Sequence, residues 1–368
     1  MDNLALEYCR LIDATHLVEL LDLPKARERR KWACPACGSS DALHVYPGPG
    51  RGSTCFSCDA HPDAIDLVEL VIGTDFMGAV RWLAGEFGFT DLVDGTADPR
   101  EARERHKKIK AQVERRRKEK ARMEAKARKR ARSVYNKLWP MLELGPAGRE
   151  YLEARGIPVH VAGHVGIRSV ESMDQWRDIR SGFWPGTLAQ AGLEGANDGD
   201  TYPVPWRAPF LVIPYWLEEG GIDVIRFRDL SGKSNAKYLS PLGQRPTTPY
   251  LSHAAYDIAD DYPTLYVCEG ELNALSVLWA GAPAVSSCGN GVWRPEWSRP
   301  FRWYGQVVVL CDGDDAGRAF SVRVRDGTAE VLGRDWTQRK LKRRIFIPGT
   351  DANDALVDGR LEELVRAA

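Results

Sequence analysis

The stretch VVVLCDGDDAGR, residues 307–318, passes from an unbroken apolar run straight into Asp312, Asp314 and Asp315. A short apolar run bounded by turn-forming residues reads as a strand buried on both faces. Strands of that kind belong to parallel sheets covered by helices. The acids therefore fall where the strand leaves the core, the edge at which open parallel sheets hold their ligands.

The same pattern extends on both sides. TLYVC, the helix-like ELNALSVLWAG, PAVSSC, QVVVLC, the helix-like DAGRAFSVRVRDGTAEVL, RRIFIP and a last helix to Val365 alternate from Thr264 onward. This alternation predicts a parallel sheet with helices on both faces. Three of the strands end in acids: Glu269 follows LYVC, Asp312 and Asp314 follow VVVLC, and Asp351 with Asp354 follows IFIPG. On neighbouring strands these acids converge on one sheet edge.

Crowded carboxylates repel one another and hold their protons unless a divalent cation sits among them. Hard oxygen ligands suit Mg²⁺ or Mn²⁺, and a pair of such ions organises phosphoryl transfer. The bland role for any one Asp is a helix cap. Asp315, at the head of a helix-like run, reads as that cap.

Upstream, PFLVIPYW and DVIRFRDL flank EEGGI and read as a hairpin in an α+β region preceded by the helix-like LGPAGREYLEARG. SGKSN at 231–235 is not a phosphate loop, because that motif needs Gly at 227, where Phe stands. No ATPase motor is read in this sequence.

Near the N-terminus, Cys34, Cys37, Cys55 and Cys58 form C-x2-C-x17-C-x2-C, the spacing of a tetrahedral zinc site built from two knuckles. The intervening residues read as strands joined by a Gly/Pro turn, a zinc ribbon in which metal replaces a core too small to fold alone. His44 and His61 lie close by, but four thiolates close the site, so both read as surface or supporting groups. Helices are expected over 1–23 and 61–88, with Thr74 capping DFMGAVRWLAGEFG. Cys9, Cys268, Cys288 and Cys311 sit among apolar neighbours and read as free thiols.

Lys+Arg and Asp+Glu both number 51, so net charge identifies no partner. Its distribution is uneven. Residues 100–132 carry 17 Lys or Arg against 5 Glu, 17 − 5 = +12, which leaves −12 elsewhere. Rich in Ala, Glu, Lys and Arg, this segment favours helix, and would span roughly 50 Å at about 1.5 Å per residue. It reads either as a solvated spacer or as a nucleic-acid-binding element.

With 368 residues, 43% of them hydrophobic, the chain has room for several cores. MDNLALEYCRLID lacks the pattern of a secretory leader and no run of about 18 apolar residues occurs, so a cytoplasmic protein without a membrane span is expected.

CEGELNAL, CDGDDAGR and TDANDAL together resemble the three acidic motifs of the TOPRIM domain of primases and topoisomerases. CFSCDAHPDAIDLVEL and FMGAVRWLAGEFG independently resemble the primase zinc finger. YLEARGI, FLVIPYW, DVIRFRDL and AKYLSPLG are similar to the basic subdomain that precedes TOPRIM in bacterial and phage replicative primases. The resemblance covers all but the basic segment and about 165–205.

It implies a multidomain α+β and α/β chain: a zinc-binding domain at 1–95, a basic helical linker at 96–134, a basic subdomain of the primase core at 135–262 and TOPRIM at 263–368. It implies an RNA primase of a phage or mobile element, joining ribonucleoside triphosphates on single-stranded DNA beside a separate replicative helicase. Glu269 would activate the attacking hydroxyl or hold metal, and Asp312, Asp314 and Asp351 would hold Mg²⁺ or Mn²⁺ with the triphosphate. Lys237 would act in catalysis, and with Arg226, Arg228 and Arg318 would hold nucleotide or nucleic acid. One Zn²⁺ on the four cysteines would serve template recognition.

This chain departs from the family pattern in three places. All four zinc ligands are cysteines where a His is frequent, Asn273 stands where an Asp is common, and DAND replaces the usual third motif, leaving Asp351 and Asp354 as alternatives. Trp32, Tyr46 and Phe56 are candidates for stacking on bases, with core packing as their alternative. Two other classes share these residues: a TOPRIM nuclease or topoisomerase-like enzyme, and a non-catalytic zinc-containing DNA-binding replication factor.

Overall fold

The computed structural model describes residues 3–26, 30–48, 50–194, 207–233, 236–257, 262–289, 292–346 and 350–366. Two compact units divide the chain, Met1–Arg122 and Met123–Ala368. Lys31–Trp32 (β1), Leu43–Val45 (β2) and Ser53–Cys55 (β3) form an antiparallel sheet in the first unit, with Leu43 opposite Cys55. Its core gathers Leu17, Val18, Trp32, Leu43, Leu67 and Leu83. The helix Phe76–Phe87 is capped by Asp75, whose carboxylate accepts from Gly78 N–H, and not by Thr74. An ionised carboxylate meets the helix dipole better than a hydroxyl does.

A helix runs from Pro99 to Leu138. Its last turns already belong to the core of the second unit: Ala131, Val134, Tyr135 and Leu138 are buried there. Arg132 is ion-paired to the buried Asp223, and Tyr135 donates to Ala191 O at 2.6 Å. The expected linker end at 134 therefore lies inside packed helix, where the pattern turns from charged to apolar.

The second unit holds two four-stranded sheets. Arg168–Val170 (β4), Phe210–Trp216 (β5), Ile222–Asp229 (β6) and Tyr238–Leu239 (β7) pair antiparallel in chain order, with the hairpin where EEGGI places it. Thr264–Cys268 (β8), Ala284–Ser286 (β9), Gln306–Cys311 (β10) and Leu341–Ile345 (β11) form the expected parallel sheet in the order β11-β10-β8-β9.

Each central strand of that sheet feeds two cores because side chains alternate across a strand. Tyr266, Cys268, Val308 and Leu310 face the core shared with the antiparallel sheet. Leu265, Val267, Val307 and Val309 face a second core beneath Phe320 and Val324. The apolar run at 307–311 is thus explained by burial on both sides.

Two details differ from expectation. The last helix is broken into Ala352–Val357 and Leu361–Arg366 around Gly359, whose φ of 71° an L side chain rarely adopts. The region 165–205, for which no reading was made, contributes β4 and the helix Met173–Ser181. Residues 347–349 of the IFIPG stretch and 234–235 of SGKSN lie outside the described residues. Among the described residues no helix is long and apolar enough to cross a membrane.

Candidate active site and metal centre

Hairpin register in the first unit delivers Cys55 at the end of β3, and the turn Phe56–Ser57 returns the chain to Cys58. The other knuckle closes at Gly38, in the left-handed region at φ 74°. All four sulfurs lie within 4.8 Å of one another, with Cys34 to Cys58 at 3.9 Å and Cys37 to Cys55 at 3.8 Å. A tetrahedral ion with Zn–S bonds of about 2.3 Å separates its sulfurs by roughly 3.8 Å. The thiolate set therefore fits one zinc ion.

His44 and His61 stand outside this set: His44 packs on Tyr46, and the His61 ring bonds the Thr54 hydroxyl. Of the three aromatic candidates, Trp32 is core, whereas Phe56 is 71% exposed. The His44 ring bridges Tyr46 and Phe56.

In the second unit, β11, β10 and β8 are adjacent and parallel, so the acids that follow them meet at one edge. Glu269 is the first residue after β8 and Asp312 the first after β10. Asp312 N–H donates to Glu269 Oε1 at 2.8 Å, and Asn273 Nδ2 to Asp312 Oδ1 at 3.2 Å. Burial, reinforced by Glu269, Asp351, Asp314 and Asp354, pushes the Asp312 carboxyl up to about 7. Burial likewise raises Glu269; the hydrogen bond from Asp312 opposes the rise, and Asp314 and Asp351 add to it.

Gly317 completes this corner, and sequence reasoning missed it. A Cβ there would lie 2.4 Å from Asp312 O and 2.6 Å from Glu269 Oε1. Only glycine lets the helix Asp315–Leu332 seat against both acids. Its N-cap is Asp314, whose Oδ1 accepts from Gly317 N–H at 2.8 Å, and not Asp315, which is the first helical residue. The turn after β10 ends one residue earlier than the sequence pattern indicated. Asp351 caps the helix Ala352–Val357 in a reciprocal box with Asp354.

These acids face a cleft of about 430 Å³ whose walls include Glu269, Asp312, Asp351, Arg155, Arg228 and Lys237. Asp351, and not Asp354, lines it. Arg228 enters stacked between Tyr238 and Tyr151, its guanidinium 4.6 Å and 5.4 Å from their ring centroids. Arg155, Tyr238 and Asn353 were not singled out from sequence. Arg155 Nη1 donates to Asn353 Oδ1 at 3.0 Å, and Asn353 Nδ2 returns a bond to Arg155 O at 2.9 Å.

Two predicted cations lie elsewhere. Arg226 is 7% exposed, ion-paired to the buried Glu271 and bonded to Ser240; it does not line the cleft. Tyr215 donates to the same Glu271 oxygen at 2.8 Å. Arg318, on the first turn after Asp314, reaches back to the exposed Asp315 at 3.2 Å and also does not line the cleft. Asp314, serving as a cap, acts on the cleft acids through its charge.

Among the described residues only the four cysteines bring three or more ligand atoms within 4.8 Å; the carboxylates stand wider apart. Carboxylate oxygens are the ligand type Mg²⁺ takes, one or two of them beside waters and substrate phosphates, and Glu269, Asp312 and Asp351 line one cleft. The raised pKa values of Asp312 and Glu269 mark charge that a divalent cation would neutralise.

No family model matches the sequence. Curated relatives do. The chain is 26% identical over 348 residues to the DNA primase of Mycolicibacterium smegmatis, covering 88% of this chain and 50% of the relative. It is 26% identical over 360 residues to the DNA primase of Neisseria meningitidis, covering 94% and 57%. A Gene 57 protein of Mycobacterium phage D29 is 31% identical over 121 residues, 31% of this chain and 74% of that protein. The chain thus spans about half the length of the first two.

The fold is similar to a DnaG primase catalytic domain bound to single-stranded DNA, with a TM-score of 0.52 at 22% identity over 66% of this chain and 78% of that one. It is also similar to the Aquifex aeolicus primase, zinc-binding and RNA polymerase domains together, at TM-score 0.50 and 18% identity over 100% of this chain and 85% of that one. In chain order a cysteine ribbon precedes a hairpin sheet and an acid-edged parallel sheet, and over most of its length the sequence is similar to DNA primases.

Proposed function

We propose that this chain is a DNA-dependent RNA primase that joins ribonucleoside triphosphates on a single-stranded DNA template. One observation carries the reading: Glu269, Asp312 and Asp351 line the same cleft as Arg228, Lys237 and Arg155. Phosphoryl transfer needs this division, with acids to hold metal and fixed cations to hold phosphate, and little other chemistry from the protein.

Glu269, Asp312 and Asp351 would hold the divalent ions, which supply Lewis acidity to the transferred phosphoryl group and lower the pKa of the attacking hydroxyl. Asp314 adds negative charge behind them. Lys237 and Arg228 bind phosphate oxygens, Arg228 with its plane fixed between Tyr151 and Tyr238. Burial in the cleft strengthens these interactions relative to water. The division into 1–95, 96–134, 135–262 and 263–368 belongs to the same reading, with the zinc ribbon contacting template.

The test supplies single-stranded DNA, labelled ribonucleotides and Mg²⁺ or Mn²⁺, and compares wild type with Asp312→Ala. Short template-dependent RNA from wild type alone supports the proposal. Cleaved DNA would mark a nuclease, and DNA binding without turnover a non-catalytic replication factor; either overturns it.

A further inference from the structure

The basic helix is not needed for the chemistry of the cleft, yet its charge is extreme. Between Lys107 and Arg122 the sequence carries nine Lys or Arg against two Glu, 9 − 2 = +7. Sixteen helical residues span about 23 Å at 1.5 Å each, so net positive charges recur about every 3 Å along the axis. Every described side chain in this stretch is exposed.

Packing does not hold such a helix: its described side chains between Lys107 and Arg122 are exposed. It offers no apolar stripe to a core. Glu114–Lys118, at 3.7 Å, has the i,i+4 spacing that supports an isolated helix. Against it stand like charges at helical spacing: Lys107 and Lys110, Arg115 and Lys118, Arg117 and Lys120, Lys118 and Arg122. Each such pair costs a few tenths of a kcal/mol, which a polyanion would relieve.

The compensating −12 outside residues 100–132 is spread over 335 residues, far too dilute to match this density. One strand of a DNA double helix carries a phosphate every 3.4 Å or so of its axis, close to the spacing of charge on this helix. We infer that Lys107–Arg122 is a docking surface for the sugar–phosphate backbone of duplex nucleic acid. The inference goes beyond polymerisation and holds whether or not the cleft acids polymerise.

Binding of a blunt DNA duplex to the full chain, followed by fluorescence anisotropy between 50 and 200 mM NaCl, tests this. Each phosphate neutralised contributes about 0.9 to the slope of log affinity against log salt on duplex DNA. Lys108, Arg115, Lys118 and Arg122 share one face of the helix at 3.6 residues per turn, and replacing these four by Gln should flatten the slope by about 3.6. Wild type then loses on the order of a hundredfold more affinity across that salt range than the variant does. Glutamine keeps helix propensity, and unchanged zinc content and circular dichroism establish folding.

A second variant, with Lys at Arg115 and Arg122, should retain the wild-type slope, since charge is what the backbone reads. A slope unchanged by the Gln variant overturns the inference, as does a change confined to a single strand of the same length. Primer synthesis is not measured, so failure here is separable from failure of the primase reading.

Discussion

The backbone N–H of Asp312 donates to Glu269 Oε1 at 2.8 Å, so the first residue after one strand fixes the first acid after its neighbour. The hydrogen bond needs only an acceptor, whereas metal binding needs a charge. Glu269→Gln keeps an acceptor and should leave stability at or slightly above wild type, because it also removes repulsion from Asp314 and Asp351. Primer synthesis should fall at least a hundredfold. Glu269→Ala should cost about 1 kcal/mol more, from the orphaned N–H. Urea midpoints beside primer yields check both.

Asp312 binds its proton more tightly folded, at about 7, than at the ordinary 3.8. The stability this contributes is complete below about pH 4 and is lost as pH rises through 7. With zinc in place and no magnesium, the urea midpoint should therefore fall between pH 5 and pH 8, and Asp312→Asn should flatten that fall. Magnesium should restore the midpoint at pH 8 and do little at pH 5, where the carboxyl is protonated. Unfolding curves at the two pH values, with and without magnesium, decide it.

At Gly317 the prediction rests on space alone. An added methyl meets backbone oxygen at 2.4 Å and the Glu269 carboxylate at 2.6 Å, and backbone does not yield as a flexible side chain does. Gly317→Ala should destabilise by about 1–3 kcal/mol and abolish activity, although alanine is the better helix former. Gly85→Ala, in a helix where nothing lies within 4 Å, should be neutral or slightly stabilising. Thermal melts of the two variants provide the contrast.

The ribbon has only three short strands beside its four sulfurs, so its fold, rather than that of the helices packed in the same unit, should depend on a zinc ion held there. Cys55→Ser should release zinc and melt the ribbon while leaving the parallel sheet folded. Metal content and hydrogen exchange resolved by segment check this: protection should vanish over 31–58 and persist over 264–311.

What the sequence made legible follows from how local each signal is. The thiolate spacing and the doubly buried run at 307–311 are read over a few residues, and both led to the right element. Asp314 and Asp315 differ only in where the turn after β10 ends, and Thr74 and Asp75 only in which side chain reaches Gly78, so each cap lay one residue from its expected place. Arg226 and Arg228 show the limit. They share a face of β6, but Glu271, on a helix 45 residues away in sequence from Arg226, pairs with the first and leaves the second to the cleft. No local pattern encodes that choice.

That pair supports the last prediction. Arg226 and Glu271 are 7% and 2% exposed, with Tyr215 bonded to the same carboxylate oxygen. Removing one partner strands a buried charge, so Glu271→Ala should cost about 3–5 kcal/mol. Replacing both by apolar residues of similar volume, Arg226→Met with Glu271→Leu, should recover most of that loss. The cleft cations are untouched by the double change, so priming should survive in it. A double variant as unstable as Glu271→Ala would show that the pair contributes attraction beyond compensating its own burial, and urea unfolding of the three variants measures which holds.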